Sequence, residues 1–115
     1  MQIKRGDIIL VNLDPVVGSE QGKTRPAVVI QNDIGNEYSP TTIVAPVTSK
    51  IFSRKFPTNV EVGPANSPLK EECTILLNQI RTIDKSRIIR NYGRISAKKI
   101  KEVDDAIMNS LGLDW

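Results

Sequence analysis

The sequence predicts a mainly β protein, a compact and strongly bent antiparallel sheet or barrel of five or six short strands, with one C-terminal helix packed across an open end. Two observations predict it. Short runs rich in Val, Ile and Thr recur along the chain, each separated from the next by turn-forming residues. Only the last stretch spaces its apolar residues at helical steps. A length of 115 residues suits a single domain, residues 1–115, with one modest core.

The strands are expected, in order, over Asp7 to Leu13, Arg25 to Gln31, Thr41 to Thr48, Thr58 to Val62, Thr74 to Thr82, and more weakly around Ile88 to Ile95. Gly18 and Gly22 mark the first connection, and Asn32-Asp33 with Gly35-Asn36 mark turns in the second. Pro57 precedes the fourth strand, and Gly63-Pro64 with Ser67-Pro68 close it. Pro46, inside the third run, requires an edge position, a bulge or a strand end, because proline has no N–H to give a ladder. The helix follows from Ile100, Val103, Ile107 and Leu111 at steps of three and four, with Ser96 as N-cap and Gly112 as stop. Its capping box is incomplete, since Lys99 stands where Glu or Gln would reach back. The stretch from Ser49 to Pro57 differs from the rest: Lys50, Arg54 and Lys55 are interleaved with Ile51, Phe52 and Phe56, as in a long basic loop.

Composition narrows the chemistry. Hydrophobic residues at 39% and charged residues at 25% are an ordinary globular balance, against a disordered tail or a membrane protein. Aromatics at 4% leave the core to Ile, Val and Leu and leave few rings for stacking on bases. A formal charge of +3 favours an anionic partner without requiring one. The single cysteine, Cys73, lies in an apolar run and reads as an inert buried thiol, compatible with a reducing cytosol. The apolar run from Ile8 is broken by Asn12 and Asp14, too short for a signal peptide or a membrane span, so a cytoplasmic protein is expected. Histidine is absent, which removes the commonest general acid-base and the commonest transition-metal ligand. Any catalysis must run on Arg, Lys, carboxylates, hydroxyls and backbone donors.

Three places can carry such chemistry. Gly18-Ser-Glu-Gln-Gly-Lys-Thr-Arg25-Pro is a polar, glycine-bracketed loop delivering an arginine to the start of a strand, which fixes where the guanidinium points. A solvated hairpin loop with a surface arginine explains the same residues, and both readings stay open. A phosphate-binding P-loop is rejected, because the leading glycine is missing and an Arg-Pro strand follows where a helix is needed. Ala45 to Lys50 ends a strand in two hydroxyls and a cation, which suits a phosphate, although Thr48 and Ser49 satisfying their own backbone is the default for such residues. In Leu77 to Asp84, alternation places Leu77, Gln79, Arg81 and Ile83 on one side, a solvated face with structural ion pairs unless RNA or a partner covers it.

Taken together, these places resemble the MazF/PemK family of toxin endoribonucleases. The matching elements are Arg5-Gly6-Asp7, Gly18 to Gly22, Arg25 to Asp33, Pro46-Val47-Thr48, Leu77 to Lys85, and Val103 to Ile107 running into Ser110 to Leu113. They span nearly the whole chain in family order; Ile51 to Glu72 is the least family-like part, where members differ in RNA preference. The resemblance implies a small SH3-like barrel, of the type shared by the MazF, CcdB and Kid toxins, with five to seven short strands and a C-terminal α-helix. It implies a homodimer, a MazE-like cognate antitoxin, and the toxin role in a type II toxin-antitoxin system. The implied activity is sequence-specific, metal-independent and cofactor-free cleavage of single-stranded RNA (mRNA) to 2′,3′-cyclic phosphate and 5′-hydroxyl ends. The family's principal catalytic residues fall on Arg25 and Thr48, and supporting substrate contacts fall on Ser19, Glu20, Gln21 and Gln79. Lys50 and Phe52 join them from the chemistry of the basic loop, as a backbone contact and a stacking ring. Glu20 is a candidate base, or else an ion-pair partner of Lys23 or Arg25. Two alternatives remain: a toxin of the same fold that poisons a topoisomerase without nuclease chemistry, and an inert barrel that only binds.

Overall fold

A computed structural model describes residues 1–113. Seven strands form one antiparallel sheet: β1 (Asp7–Asn12), β2 (Thr24–Val29), β3 (Thr41–Thr48), β4 (Asn59–Val62), β5 (Cys73–Leu76), β6 (Arg81–Asp84) and β7 (Ile88–Arg94). Helix α1 (Asp33–Tyr38) joins β2 to β3, and α2 (Ala97–Ser110) ends the described chain. Strand order is β4-β5-β3-β2-β1-β7, with β6 branching from β3. The sheet bends without closing, since β4 and β7 stay unpaired with each other among the described residues.

β3 matches the sequence expectation residue for residue and explains the bend. One edge pairs with β2, from Ala27↔Pro46 to Val29↔Val44. Its other edge is shared, β6 taking Thr41 to Val44 and β5 taking Val47 and Thr48. Pro46 stands in the gap between them. The Ile30 N–H donates to Ile43 O at 2.9 Å, and the alternation of an antiparallel ladder then aims the position of proline's missing donor away from β2, toward that gap. The sheet forks where one strand cannot donate.

Because β1 and β2 lie inside the sheet with both faces covered, they read as nearly continuous apolar runs. Ile8, Val28, Ala45, Val47 and Ile75 face one cluster, closed over by Val103 and Ala106 of α2. Ile9, Val11, Leu13, Ala27, Val29 and Val44 face a second cluster on the opposite side. Each fully buried Val, Leu or Ile among them contributes about 1.5–3 kcal/mol relative to exposure. The Arg5-Gly6-Asp7 element fastens α2 to the sheet. Arg5 pairs with Asp104 at 2.7 Å and donates to Ile30 O at 2.9 Å. Gly6 takes φ +94°, and a Cβ there would lie 2.8 Å from Ile100 Cδ1. The Asp7 carboxylate accepts from Lys4 N–H at 2.8 Å and from Asn91 at 2.9 Å.

α2 begins as expected, the Ser96 hydroxyl accepting from Lys99 N–H at 3.2 Å. It ends in a Schellman turn: Gly112 takes φ +70°, its N–H reaches Asn109 O at 3.2 Å, and Leu113 N–H reaches Met108 O at 2.8 Å.

Two expectations fail. The turns read at Asn32-Asp33 and Gly35-Asn36 are helix α1, whose inward residue is a polar one, Asn36, while Ile34 and Tyr38 are 76% and 78% exposed. A short helix held by polar contacts carries no apolar period. The run Thr74 to Thr82 is two strands, parted by a turn in which Gln79 N–H donates to Leu76 O at 3.2 Å. Leu77 therefore joins the cluster under α2 and Ile83 the opposite one, so they do not share a side. Arg81 forms no ion pair among the described residues; it donates to Leu13 O at 2.9 Å and buttresses the base of the β1–β2 loop.

Candidate active site

The register of β2 on β3 builds the site. The paired residues end at Ala27↔Pro46, two residues short of Arg25 and Thr48, and extending that register past its last pair sets the two across from each other. Thr48 pairs in turn with Thr74 of β5. Arg25 and Thr48 line one open hollow of about 490 Å³, walled on its far side by Leu69, Lys70, Glu71 and Cys73.

Arg25 is half-buried and held by its own loop. Its Nε donates to Gly22 O at 2.7 Å, and a terminal nitrogen donates to the Gln21 side-chain oxygen. Two of the five guanidinium N–H groups are thereby engaged, which leaves three for a ligand. The Thr48 hydroxyl oxygen accepts from Lys50 N–H at 3.2 Å, the self-capping expected of a strand end, and keeps its own O–H to donate. Thr74, 1% exposed, donates to Lys50 O at 2.9 Å, so the backbone of Lys50 is tied on both sides.

Two more hollows continue the first. Thr48 also lines one of about 360 Å³ with Gln21, Lys50, Phe52, Phe56 and Gln79. Gln21, Asn78 and Gln79 are shared with a third, of about 570 Å³, which adds Ser19, Glu20 and Arg81. All eight residues singled out from the sequence thus lie along one track: Arg25 and Thr48 at one end, Lys50, Phe52, Gln21 and Gln79 in the middle, Ser19 and Glu20 at the other. Phe52 and Phe56 meet edge to face at 6.0 Å, and Lys50 Nζ lies 4.8 Å from the centre of the Phe52 ring. Neither ring enters the core, Phe56 being 44% exposed. Arg54 and Lys55 lie beyond this ring pair and line a smaller hollow of about 210 Å³ with Lys99.

The β1–β2 loop is fixed by polar contacts. Gly18 and Lys23 take φ +59° and +66°. Glu20 accepts from Val17 N–H at 2.6 Å, and Asp14 accepts from Lys23 N–H at 2.8 Å. A Cβ on Gly22 would lie 2.6 Å from Asp14 Oδ1 and 2.7 Å from Val16 Cγ2, so a side chain there would displace both. Glu20 has neither Lys23 nor Arg25 as an ion-pair partner among the described residues.

Cys73 touches the first hollow but is not primed as a nucleophile. Burial above all, with Glu71 and Glu72 nearby, pushes its thiol above the ordinary value. The far wall at Leu69 to Glu71 was invisible in the sequence, because it is set by the Thr48↔Thr74 pairing, which folds the long Ile51–Glu72 connection back beside β3. No cluster of His, Cys, Asp or Glu suited to a metal ion occurs among the described residues, and no helix among them is long and apolar enough to cross a membrane.

A chain named Endoribonuclease MazF from Staphylococcus saprophyticus is 52% identical over 111 residues, covering 96% of this chain and 92% of that one. The crystal structure of MazF from Deinococcus radiodurans superposes with a TM-score of 0.83 at 25% identity, covering 97% of this chain and 98% of that one. An endoribonuclease in complex with its cognate antitoxin, from a mycobacterial species, superposes with a TM-score of 0.81 over 98% of both chains; at 21% identity it speaks to the fold. Residues 4–111 match the model of a family described as PemK-like, MazF-like toxin of type II toxin-antitoxin system. With that match over nearly the whole chain, and a relative at 52% identity, this protein belongs to the PemK-like, MazF-like toxins of type II toxin-antitoxin systems.

Proposed function

We propose that this chain, as one domain over residues 1–115, is a toxin endoribonuclease that cleaves single-stranded RNA at the Arg25–Thr48 hollow without a metal ion. The observation that carries the reading is the placement of a guanidinium with three uncommitted donors across one strand pair from a hydroxyl, at the end of a track of polar and aromatic side chains. The substrate's 2′-hydroxyl attacks the adjacent phosphorus: the O2′–P bond forms, the P–O5′ bond breaks, the 2′ proton passes to water, and O5′ takes a proton from water to leave as a hydroxyl. The products are a 2′,3′-cyclic phosphate and a 5′-hydroxyl, and DNA, lacking the nucleophile, is spared.

Charge accumulates on the non-bridging oxygens as attack proceeds. A guanidinium fixed beforehand stabilises that charge more than it stabilises the ground state, and losing one such donor costs about 100-fold or more in rate. That is the role of Arg25, whose always-protonated group suits it to electrostatic stabilisation rather than proton exchange. Thr48 donates its O–H to the scissile phosphate. Ser19, Glu20, Gln21, Lys50, Phe52 and Gln79 contact the flanking nucleotides, whose splayed bases present edges and faces only when unpaired. Lys50 meets the backbone and Phe52 offers a stacking face. The working protein is a homodimer in the cytoplasm, and a MazE-like antitoxin silences it by covering the track with an acidic segment that orders on binding.

The test is incubation of the purified chain with a long single-stranded RNA in excess EDTA, beside Arg25→Ala and a matched DNA. Discrete RNA cuts with cyclic-phosphate ends, absent from both controls, are expected. Intact RNA across varied sequences would move the reading to a non-nuclease toxin of the same fold.

A further inference from the structure

The Gln79 side chain spends both of its polar atoms on the β1–β2 loop. Its oxygen accepts from Gln21 N–H at 3.3 Å, and its nitrogen donates to Ser19 O at 3.3 Å. Gln79 comes from the turn between β5 and β6, so these two bonds, across 58 and 60 residues of chain, tie the tip of the loop to the sheet. Gln21, held by its backbone, then presents its side-chain oxygen to Arg25, whose Nε rests on Gly22 O at 2.7 Å. Every hold on the guanidinium among the described residues therefore comes from a loop whose tip Gln79 secures. Arg25 itself sits at the second residue of β2, near a strand end.

We propose that Gln79 is a positioning residue for Arg25: by clamping Ser19 and Gln21 it sets the loop that holds the guanidinium toward the phosphate site. The proposal rests on the endoribonuclease reading and deepens it, adding to the contact Gln79 makes with RNA a role exerted through Gln21. Both Gln79 bonds, at 3.3 Å, are slightly longer than the ordinary N–H···O distance of about 2.7–3.2 Å, so each is a weak hold. A misplacement on the order of 1 Å at the reacting group lowers a rate by about 100-fold, so a modest loosening has a large kinetic effect.

The test compares Gln79→Met, which keeps length and loses both polar atoms, with Gln79→Glu, which keeps the acceptor for Gln21 N–H but sets a carboxylate oxygen against Ser19 O in place of the donor. Single-turnover cleavage is followed across RNA concentrations. Gln79→Met is expected to lower the saturated rate by about 10- to 100-fold, with a smaller rise in the half-saturating RNA concentration from its lost RNA contact. Gln79→Glu, retaining one of the two bonds, is expected to recover part of the saturated rate, with weaker RNA affinity from its added negative charge. Gln21→Met/Gln79→Met is expected to be no slower than the worse single variant, since both act through one guanidinium. Without RNA, exchange of the Arg25 Nε–H with water, followed by NMR, is expected to accelerate in Gln79→Met. A saturated rate unchanged in Gln79→Met, or equal losses in Met and Glu variants, would overturn the proposal, as would an unchanged Nε–H exchange. If the unmodified protein cleaves no RNA, the functional reading fails while the exchange measurement still decides the clamp.

Discussion

Replacing Asn36 by alanine tests how a short helix with no apolar face is held to a sheet. Asn36 is 4% exposed and makes four side-chain bonds: its oxygen accepts from Thr42 Oγ1 at 2.7 Å and Gln31 Nε2 at 3.2 Å, and its nitrogen donates to Gln31 O at 2.9 Å and Asp33 Oδ1 at 3.2 Å. Two partners keep another bond, Gln31 Nε2 to Thr41 O at 3.0 Å and Asp33 Oδ1 from Arg5 N–H at 2.7 Å. Two lose theirs: the Thr42 hydroxyl, 0% exposed, and the Gln31 carbonyl. A buried group left unpaired costs about 1–3 kcal/mol, so Asn36→Ala is expected to destabilise the fold by about 3 kcal/mol. Thr42→Val removes the donor but leaves the Asn36 oxygen bonded to Gln31, and is expected to cost less than about 1 kcal/mol. With the orphaned hydroxyl gone, Asn36→Ala/Thr42→Val should fall short of the sum of the singles by about 1–2 kcal/mol. Urea unfolding reads these values directly; at a slope of about 1–3 kcal/mol per molar, Asn36→Ala lowers the midpoint by about 1–3 M. A midpoint within about 0.3 M of the unmodified protein, or strict additivity in the double variant, would refute the polar-anchor account of α1.

Arg25→Lys keeps the charge and loses the planar fork, so its saturated cleavage rate is expected to fall about 100-fold or more with the urea midpoint unchanged; a loss under about tenfold would reduce Arg25 to a point charge. Thr48→Val should slow cleavage at least about tenfold while Thr48→Ser stays within a fewfold of the parent, and equal rates for the two would remove the hydroxyl from the mechanism. Asp33 is held below the ordinary carboxylate value, first by the N–H of Arg5 and further by Asn36 and nearby cations. A depressed folded value means stability present above the unfolded pKa of about 3.9 and lost as pH falls through the lower folded value, so the advantage over Asp33→Asn should be full at neutral pH and shrink below about pH 4. A pH-independent difference in urea midpoints would contradict that linkage. For Cys73 the raised thiol and 6% exposure predict alkylation by iodoacetamide at pH 8 at least about tenfold slower than that of a free thiol, measured by intact mass; a matching rate would show an open, ionised cysteine.

The parts of the fold that sequence reading recovered are those specified by period or by capping chemistry. β3 runs over Thr41–Thr48 as expected, and Ser96 and Gly112 bound α2 as expected, because two-sided burial and cap geometry each leave a residue-level mark. α1 left none, since its anchor is Asn36 and its apolar residues face outward. The break between β5 and β6 was hidden because Thr74 to Thr82 suits a strand throughout; what ends it is the packing of Leu77 under α2, a tertiary fact. Arg25 and Thr48 were chosen through family resemblance, and their opposition could have been computed only with the β2–β3 register known. The Leu69 to Glu71 wall was beyond reach, because its place depends on how a long connection returns.

That register has an evolutionary consequence. Slipping β2 by one residue against β3 would turn every side chain on it to the opposite face, exchanging Val28 with Ala27 and Val29 between the two apolar clusters and misfitting both, so the spacing between Arg25 and Thr48 can take only discrete values. The stretch from Ile51 to Phe56, between β3 and β4, is under no such quantisation, and residues there can be exchanged, inserted or lost one at a time. Selection on which sequence is engaged can proceed by small steps, while the reacting pair is inherited whole or not at all.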